Sequence, residues 1–159
     1  MDRLPWIERI FQLDLPPAWL PNILNRLEGT TVRLQHYAHL TTERDAGQQI
    51  DGKWSIKQHI GHLVDLESLH IGRIADFRSG ASILRAADMS NRATELADHN
   101  QQSIEILIAQ FGQQRQDFIQ QLKGLPQDVQ QLSIPHPRLN QVMRPVDLAF
   151  FTAEHDDHH

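Results

Sequence analysis

The sequence predicts an all-α protein, a four-helix bundle with long connections. Four long stretches repeat apolar residues at helical spacing, and no segment carries a convincing strand pattern. At 159 residues, the chain is long enough to bury a hydrophobic core without disulfides. We therefore expect a single domain over residues 1–159. The connections are unequal and permit crossovers, so an up-down-down-up arrangement is at least as compatible with them as a simple up-down-up-down one.

The first long helix is predicted over residues 21–40. It starts at Pro21, a residue suited to the first turn of a helix, and its apolar stripe includes Ile23, Leu24, Leu27 and Leu34. A short helix over residues 5–14 is predicted to precede it and to end at Pro16, because proline has no backbone donor. The polar run 41–53 is predicted to be a loop.

The second long helix has the clearest start signal in the chain. Ser55 and Gln58 match a capping box, in which each side chain accepts a hydrogen bond from the backbone N–H of the other residue. Gly80 is a plausible C-terminal stop. His62 lies about two turns into this helix, at the edge of its apolar stripe.

The second half of the chain is predicted to hold two more helices. The third spans residues 100–123 and closes at Gly124, and the fourth begins at Pro145 and runs into a histidine cluster. Residues 81–100 are expected to form a long connection with one short helical piece, and residues 126–132 a single turn. The prolines around His136 exclude a helix there.

A metal site is predicted from the histidines of the fourth helix. His155 and His159 are four residues apart, so their imidazoles project from the same face of a helix. Two imidazoles at that spacing can bind one transition metal, and His62 is the best candidate for a third ligand. The alternative is that these histidines make ordinary hydrogen bonds. His158 is an alternative ligand, but it projects about 100° away from His159.

Three histidines would leave open positions on the metal, as a catalytic site requires. The motif differs from the zincin H-E-x-x-H, because Asp156 stands at the position of the general-base glutamate. Ligation by imidazole alone suits zinc, nickel, iron or copper. No residue is an obvious general base.

For the other polar residues near the predicted site, a structural role is the first interpretation. Glu67 is predicted to lie on the surface, and the acidic residues Glu154, Asp156 and Asp157 to form a solvated face or to support the ligands from behind. Arg115 interrupts the apolar stripe of the third helix. It either extends its guanidinium to solvent or presents it to an anionic ligand in the bundle. The remaining histidines (His36, His39, His59, His70, His99 and His136) are predicted to be structural or on the surface.

Composition excludes several classes of function. The formal net charge is −5 and no run of Lys and Arg stands out, so a nucleic-acid partner is not expected. No apolar window is long enough to span a bilayer, and no signal peptide is visible. There are no cysteines, hence no disulfides and no thiolate ligands. We expect a cytosolic protein that acts on a small molecule.

The sequence resembles the DinB-like family, also called the DinB/YfiT-like metalloenzymes. The segments that carry the resemblance are Gly61-His62-Leu63 on the second helix, His136-Pro137-Arg138-Leu139, and the His-x-x-x-His pattern that ends the fourth helix. The resemblance implies an up-down-down-up bundle with a divalent metal, often nickel or zinc. Matched motif to motif, the ligands would be His62, His155 and His159. A homodimer is also plausible for this family type.

The resemblance further implies a class of activity. Characterised members of the family include metal-dependent enzymes that use low-molecular-weight thiols, which the metal would activate as thiolates. A transferase or hydrolase that activates a thiol or water is therefore the first hypothesis. The alternatives are a non-catalytic bundle that binds a metal or a small ligand, and a plain helical domain whose histidines only make hydrogen bonds.

Overall fold

Four long helices dominate the computed structural model, which describes residues 4–159. They are α1 (Leu20–Ala38), α3 (Ile56–Ser79), α5 (Ile104–Lys123) and α7 (Pro145–His158). The shorter elements are α2 (Glu43–Ala46), α4 (Arg92–Leu96), α6 (Gln127–Gln130), the two-residue strands β1 (Ile134–Pro135) and β2 (Val142–Met143), and single 3-10 turns at Trp6–Glu8, Pro17–Trp19 and His99–Gln101. No helix within residues 4–159 is long and apolar enough to cross a membrane.

The second and third long helices run parallel to each other. Near their N-terminal ends, Ile60 of α3 and Ile108 of α5 belong to one apolar cluster. Further along both helices, the ring of His70 on α3 lies 5.7 Å from the ring of Phe118 on α5. Helix α1 runs antiparallel to α5. Glu28 in the first half of α1 pairs with Lys123 at the end of α5, while Leu34 and Ala38 near the end of α1 pack against the cluster that contains Ile104 at the start of α5.

The fourth long helix runs parallel to α1 and antiparallel to α3. Asp147 in its first turn accepts hydrogen bonds from the backbone N–H groups of Asp14 and Leu15, just ahead of α1. At the other end of α7, Asp157 pairs with Arg33, near the end of α1. With α3 and α5 parallel, these directions give an up-down-down-up bundle, which confirms the predicted fold.

The predicted helix ends are largely confirmed. Ser55 caps α3 by accepting from the N–H of Gln58 (3.1 Å), and the Gln58 side chain accepts from the N–H of Ser55 (3.0 Å). Gly80 adopts the left-handed conformation (φ 63°) that ends a helix most easily without a side chain. Helix α7 begins at Pro145 as predicted.

The connections differ from the prediction in three places. The helix predicted over residues 5–14 is reduced to the 3-10 turn at Trp6–Glu8. The predicted loop 41–53 contains the short helix α2, whose first turn is capped by the Thr42 hydroxyl (3.1 Å to Asp45 N). The strands β1 and β2 form a small antiparallel hairpin. No strand was predicted there from the sequence, because the segment is short and rich in proline. The single helical pieces expected within residues 81–100 and 126–132 are confirmed as α4 and α6.

Candidate metal centre

Three histidines from two helices meet inside the bundle. His62 of α3 and His155 and His159 at the end of α7 each offer one ring nitrogen, and these three atoms lie within 4.8 Å of one another. Their ring centroids are 4.5 to 5.4 Å apart. His62 and His155 are 5% and 8% exposed. The structure therefore brings together the three residues that the sequence singled out.

The neighbouring histidine of the fourth helix lies outside this cluster. Among the described residues, His158 is not part of the group that could hold a metal. Its ring lies 5.8 Å from the indole of Trp6. This follows from helix geometry, because consecutive residues of a helix point about 100° apart.

All three clustered imidazoles are neutral at physiological pH. Burial lowers the pKa of His62 to about 4, that of His155 to about 3 and that of His159 to about 2, and neighbouring histidines act in the same direction on all three. For His62 the Asp65 carboxylate acts in the opposite direction but does not outweigh burial. Only the neutral imidazole has the free lone pair that a metal requires.

A hydrogen-bonded relay fixes the tautomer of His62. The Thr94 hydroxyl donates to the Asp65 carboxylate (2.8 Å) and lies 3.0 Å from Nδ1 of His62. Because the hydroxyl proton is already used, the Thr94 oxygen must accept from His62, so Nδ1 carries the proton and Nε2 is left with its lone pair. The same Asp65 oxygen accepts from Nε2 of His99 (3.0 Å). Orientation of a ligand imidazole by such a partner is typical of metal sites.

The third histidine is held by a neighbour that the sequence analysis treated as structural. Nδ1 of His159 lies 2.8 Å from Nδ1 of His59, one turn before His62 on α3. A proton on Nδ1 of His159 would leave its Nε2 available as a ligand. The backbone N–H of His159 also donates to the carbonyl of His155 (3.3 Å), which continues the helical pattern.

Two tryptophans flank the cluster. The Trp54 indole lies 5.0 Å from the ring of His62 and donates from Nε1 to Glu95 (2.8 Å). The Trp6 indole meets the ring of His155 edge-on at 4.9 Å. The two indoles cover part of the imidazoles and so contribute to the burial that lowers their pKa values.

The predictions for Arg115 and Glu67 were wrong, because both side chains are buried and paired with each other. Arg115 is 1% exposed and Glu67 0%. The guanidinium donates to Oε1 of Glu67 (2.5 Å) and to both oxygens of Asp156, at 3.0 Å for Oδ1. The Arg115 guanidinium therefore neither reaches solvent nor is available to an anionic ligand, since it is already paired with the carboxylates of Glu67 and Asp156.

Asp156 is likewise not on a solvated face. Besides Arg115, it accepts from the hydroxyl of Thr30 (3.0 Å). Asp156 follows His155 directly, so the buried ion pair fixes the last turns of α7 against α1, α3 and α5. Glu154 and Asp157 do face solvent in part, and both pair with Arg26. Asp156 thus supports the cluster through its position in the helix, since the hydrogen bonds seen for its side chain within residues 4–159 run to Thr30 and Arg115 and not to a ligand ring.

Two clefts reach the cluster from different sides. One, of about 400 Å³, is lined by His62, Asp65 and Thr94 together with the 85–93 connection. The other, of about 530 Å³, is lined by His59, His159, Arg33 and Tyr37. The histidine cluster is therefore approachable by small molecules although its rings are largely buried.

The donor set fits a catalytic transition metal. Three neutral imidazoles in mutual reach, one of them with Nε2 freed by the Thr94 relay, are a ligand set found in catalytic zinc sites, where the fourth position takes water or substrate. The neighbouring carboxylate Asp156 is engaged by Arg115, so it does not close the site. The clefts beside His62 and His159 provide the space for an additional ligand.

Fold and site together define a class of protein: an up-down-down-up helical bundle with a three-histidine cluster between its second and fourth long helices. Residues 26–159 match the family model of the DinB superfamily. Since that match covers most of the sequence, the chain belongs to the DinB superfamily. Among proteins with curated functions, none matches it significantly.

Solved structures share the fold. One is YfiT from Bacillus subtilis, described as a probable metal-dependent hydrolase with an unusual four-helix bundle topology. It is 17% identical, with a TM-score of 0.71 over 95% of this chain and 89% of that one. Another is the mycothiol-dependent maleylpyruvate isomerase, 12% identical, with a TM-score of 0.69 over 92% of this chain. The chain spans 60% of the length of that isomerase. At these identities the likeness concerns the fold alone.

Proposed function

We propose that this chain is a metal-dependent enzyme whose ion is held by His62, His155 and His159. The observation that carries the proposal is the convergence of three neutral imidazoles within 4.8 Å of one another. One cleft is lined by His62 and another by His159. A divalent ion there, with zinc and nickel the first candidates, supplies Lewis acidity that lowers the pKa of a small thiol or a water molecule and makes it a nucleophile.

The protein's own residues prepare this site. Thr94 and Asp65 hold His62 in the tautomer that presents Nε2, and His59 holds His159. The Arg115–Asp156 ion pair fixes the end of α7 beside α3. Such preorganisation avoids rearrangement of the site during the reaction. None of these residues is placed as a general base.

A thiol and an acceptor substrate are the reactants that the site supports best. The two clefts, of about 400 and 530 Å³, lie beside different ligands of the cluster, so two small molecules could approach one ion. A mycothiol-dependent isomerase and a protein described as a probable metal-dependent hydrolase share the fold. This supports thiol transfer as the first reaction to test and hydrolysis as the second.

Metal analysis tests the proposal directly. Protein without an affinity tag would be incubated with zinc and with nickel, dialysed, and measured by elemental analysis beside His62→Ala, His155→Ala and His36→Ala. His36 is an exposed histidine of α1, so its variant is the matched control. We expect about one equivalent in the wild type and control, as for a single three-histidine site, and loss in both ligand variants. Wild-type protein that stays metal-free would refute the proposal.

An activity screen follows from metal binding. The loaded wild type would be incubated with glutathione, bacillithiol or mycothiol and an electrophilic acceptor, and loss of the free thiol measured. Ester and amide substrates without thiol test hydrolysis. Binding of metal without turnover in either screen would favour the non-catalytic alternative, a metal- or small-ligand-binding bundle.

A further inference from the structure

A small cavity next to the cluster contains positively charged and hydrogen-bond-donating groups that the proposed metal site does not use. It has a volume of about 80 Å³ and lies against His62 and His155. It is also lined by Arg73, His136 and Arg138 and by apolar side chains, among them Leu66, Leu69 and Phe151. The cavity shares His62 and Leu66 with the larger cleft of about 400 Å³.

Arg73 is a buried cation without an ion-pair partner in the described chain. It is 2% exposed, and the one hydrogen bond seen for its side chain within residues 4–159 runs from Nε to the carbonyl of Arg85 (3.1 Å). Asp76, one turn further along α3, is held by Arg85 (2.8 Å). Burial lowers the pKa of Arg73 to about 10, although the Asp76 carboxylate acts in the opposite direction without forming an ion pair with it. An uncompensated buried charge is costly unless something pairs with it.

His136 adds a buried donor to the lining of the same cavity. Its Nδ1 accepts from the backbone N–H groups of Arg138 and Leu139 (3.2 Å each). Nδ1 is therefore unprotonated, and in the neutral ring Nε2 carries the proton. That Nε2 is buried and has no hydrogen-bond partner among residues 4–159. Burial, with Arg73 and Arg138 nearby, lowers the pKa of His136 to about 4 and keeps it neutral.

One acidic residue lies on this cavity, and its oxygens are already used. Asp88 accepts from the N–H and hydroxyl of Ser90 at Oδ1 (2.9 and 2.6 Å) and from the N–H of Arg92 at Oδ2 (3.1 Å). The carboxylate of Asp88 therefore stabilises the turn at residues 88–92 and forms no ion pair with Arg73. Arg73 and His136 line the same small space, and a guanidinium together with an imidazole N–H is complementary to a planar pair of oxygens.

We propose that this cavity binds the carboxylate group of the substrate, with Arg73 and His136 as its donors and Arg138 at its rim. The inference rests on the proposed function and deepens it, because it places the acid group of the substrate beside His62 and His155. A small cavity that holds only a few atoms suits a carboxylate at the end of a molecule whose reactive part lies in the larger cleft. The enzyme would thus act on small organic acids.

The test uses metal-free protein, so that failure of the metal site and failure of this proposal are separable. Protein passed over a chelating resin would be titrated with sodium pyruvate, sodium acetate and inorganic phosphate and followed by NMR. Pyruvate should shift the Arg73 and His136 side-chain signals in a saturable way. Arg73→Gln and His136→Asn should each weaken binding by roughly tenfold to a hundredfold, the range for lost charge-assisted or buried hydrogen bonds.

The variants are matched to the geometry. In His136→Asn the amide oxygen would keep an acceptor for the two backbone N–H groups while the Nε2–H donor is lost, so the surrounding loop should stay folded. Arg78→Gln changes the same charge at an exposed position of α3 and should bind pyruvate as the wild type does. Thermal unfolding shows whether each variant is folded. If Arg73→Gln does not fold, the affinity of His136→Asn for pyruvate tests the proposal.

Four results would overturn the proposal. The first is absence of saturable binding in the folded wild type, and the second is wild-type affinity in both cavity variants. The third is pyruvate binding that requires zinc, which would place the carboxylate on the metal. Phosphate binding as tight as that of pyruvate would overturn the assignment to a carboxylate. Pyruvate binding in protein that never takes up metal would support the cavity while refuting the metal proposal.

Discussion

The hydroxyl oxygen of Thr94 lies 3.0 Å from Nδ1 of His62 and donates its own proton to Asp65. This contact joins α4, a five-residue helix, to the centre of the bundle. It determines which nitrogen of His62 can face a metal, since a ring whose Nδ1 donates presents a lone pair only at Nε2. The connection between α3 and α5, which contains α4, thus helps to orient His62.

Thr94→Val should therefore weaken metal binding without unfolding the protein. Valine has nearly the same shape but cannot accept from Nδ1, so His62 loses the partner that orients it. Loss of such a partner typically lowers metal affinity by about 10- to 100-fold. The measurement is a zinc titration against a competing chromophoric chelator. Thr94→Ser keeps the hydroxyl and should bind like the wild type, and unchanged affinity in Thr94→Val would show that the relay has no role in orientation.

The stability of the metal-free protein should fall as the pH is lowered from 7 to 5. In the folded state His62 has a pKa of about 4 and His155 of about 3, below the ordinary value near 6.5. The unfolded chain therefore binds more protons between these pH values. The stabilisation by a neutral buried histidine is complete above about pH 6.5 and is lost as the pH falls towards the folded pKa. The upper bound is about 2 kcal/mol for each histidine at pH 5.

Urea unfolding at pH 7, 6 and 5 in the presence of a chelator measures this dependence. His62→Gln removes one of the titrating groups, so its free energy of unfolding should fall less steeply with pH than that of the wild type. His36→Ala, at an exposed position, should keep the wild-type slope. Identical slopes in His62→Gln and the wild type would mean that His62 titrates normally in the folded protein.

The sequence predicted much of the fold and the ligand set because these depend on local spacing. The capping box of Ser55 and Gln58 and the stop at Gly80 are encoded within one turn of the helix ends they mark. The separation of four residues between His155 and His159 is itself the geometry of one helix face. His62 was predicted as the third ligand because it lies beside the apolar stripe of its helix and because the His-x-x-x-His pair of the fourth helix needs a further ligand.

The residues that sequence analysis missed depend on contacts between distant segments. Thr94 meets Asp65 across 29 positions, and Arg115 meets Glu67 across 48. The spacing of residues within one helix does not show which polar residue of another helix will contact them. Arg115 interrupting an apolar stripe was the available signal, because a cation inside a core needs a carboxylate, and Glu67 and Asp156 were candidates.

Arg115→Met should destabilise the protein strongly. Arg115 is the cation between two buried carboxylates, Glu67 and Asp156. Removing one partner of a buried ion pair costs roughly 3–5 kcal/mol, because the charge left behind is uncompensated. Chemical denaturation at pH 7 measures the effect. Lys123→Met removes one partner of an exposed pair with Glu28 and should change the free energy of unfolding by less than about 1 kcal/mol.

Glu67→Gln should be much milder than Arg115→Met. Burial raises the pKa of Glu67, against the opposing effect of Arg115, and its Oε2 has no hydrogen-bond partner among residues 4–159. A glutamine oxygen can still accept from Arg115, while Asp156 keeps the guanidinium paired. The expected loss is about 1 kcal/mol, the size of one neutral hydrogen bond. A loss as large as that of Arg115→Met would show that the full charge of Glu67 is needed.

Gly61→Ala should disturb the proposed metal site through the ring of His99. A Cβ atom at Gly61 would lie 2.2 Å from two carbon atoms of the His99 ring. His99 is 3% exposed and cannot simply move aside, so its hydrogen bond to Asp65 would be lost. Overpacking of this kind costs typically about 1–3 kcal/mol. We also expect weaker zinc binding, because Asp65 anchors the Thr94 hydroxyl that orients His62.

Two comparisons make the prediction for Gly61 specific. At Gly29 of α1 the added methyl would meet only the end of the flexible Arg33 side chain at 3.0 Å, so Gly29→Ala should be neutral or stabilising by up to about 1 kcal/mol. His99→Ala removes the ring that causes the clash. If steric contact is the cause, the double variant should be no less stable than His99→Ala alone. Additive losses in the double variant would show that alanine at position 61 acts through something other than His99.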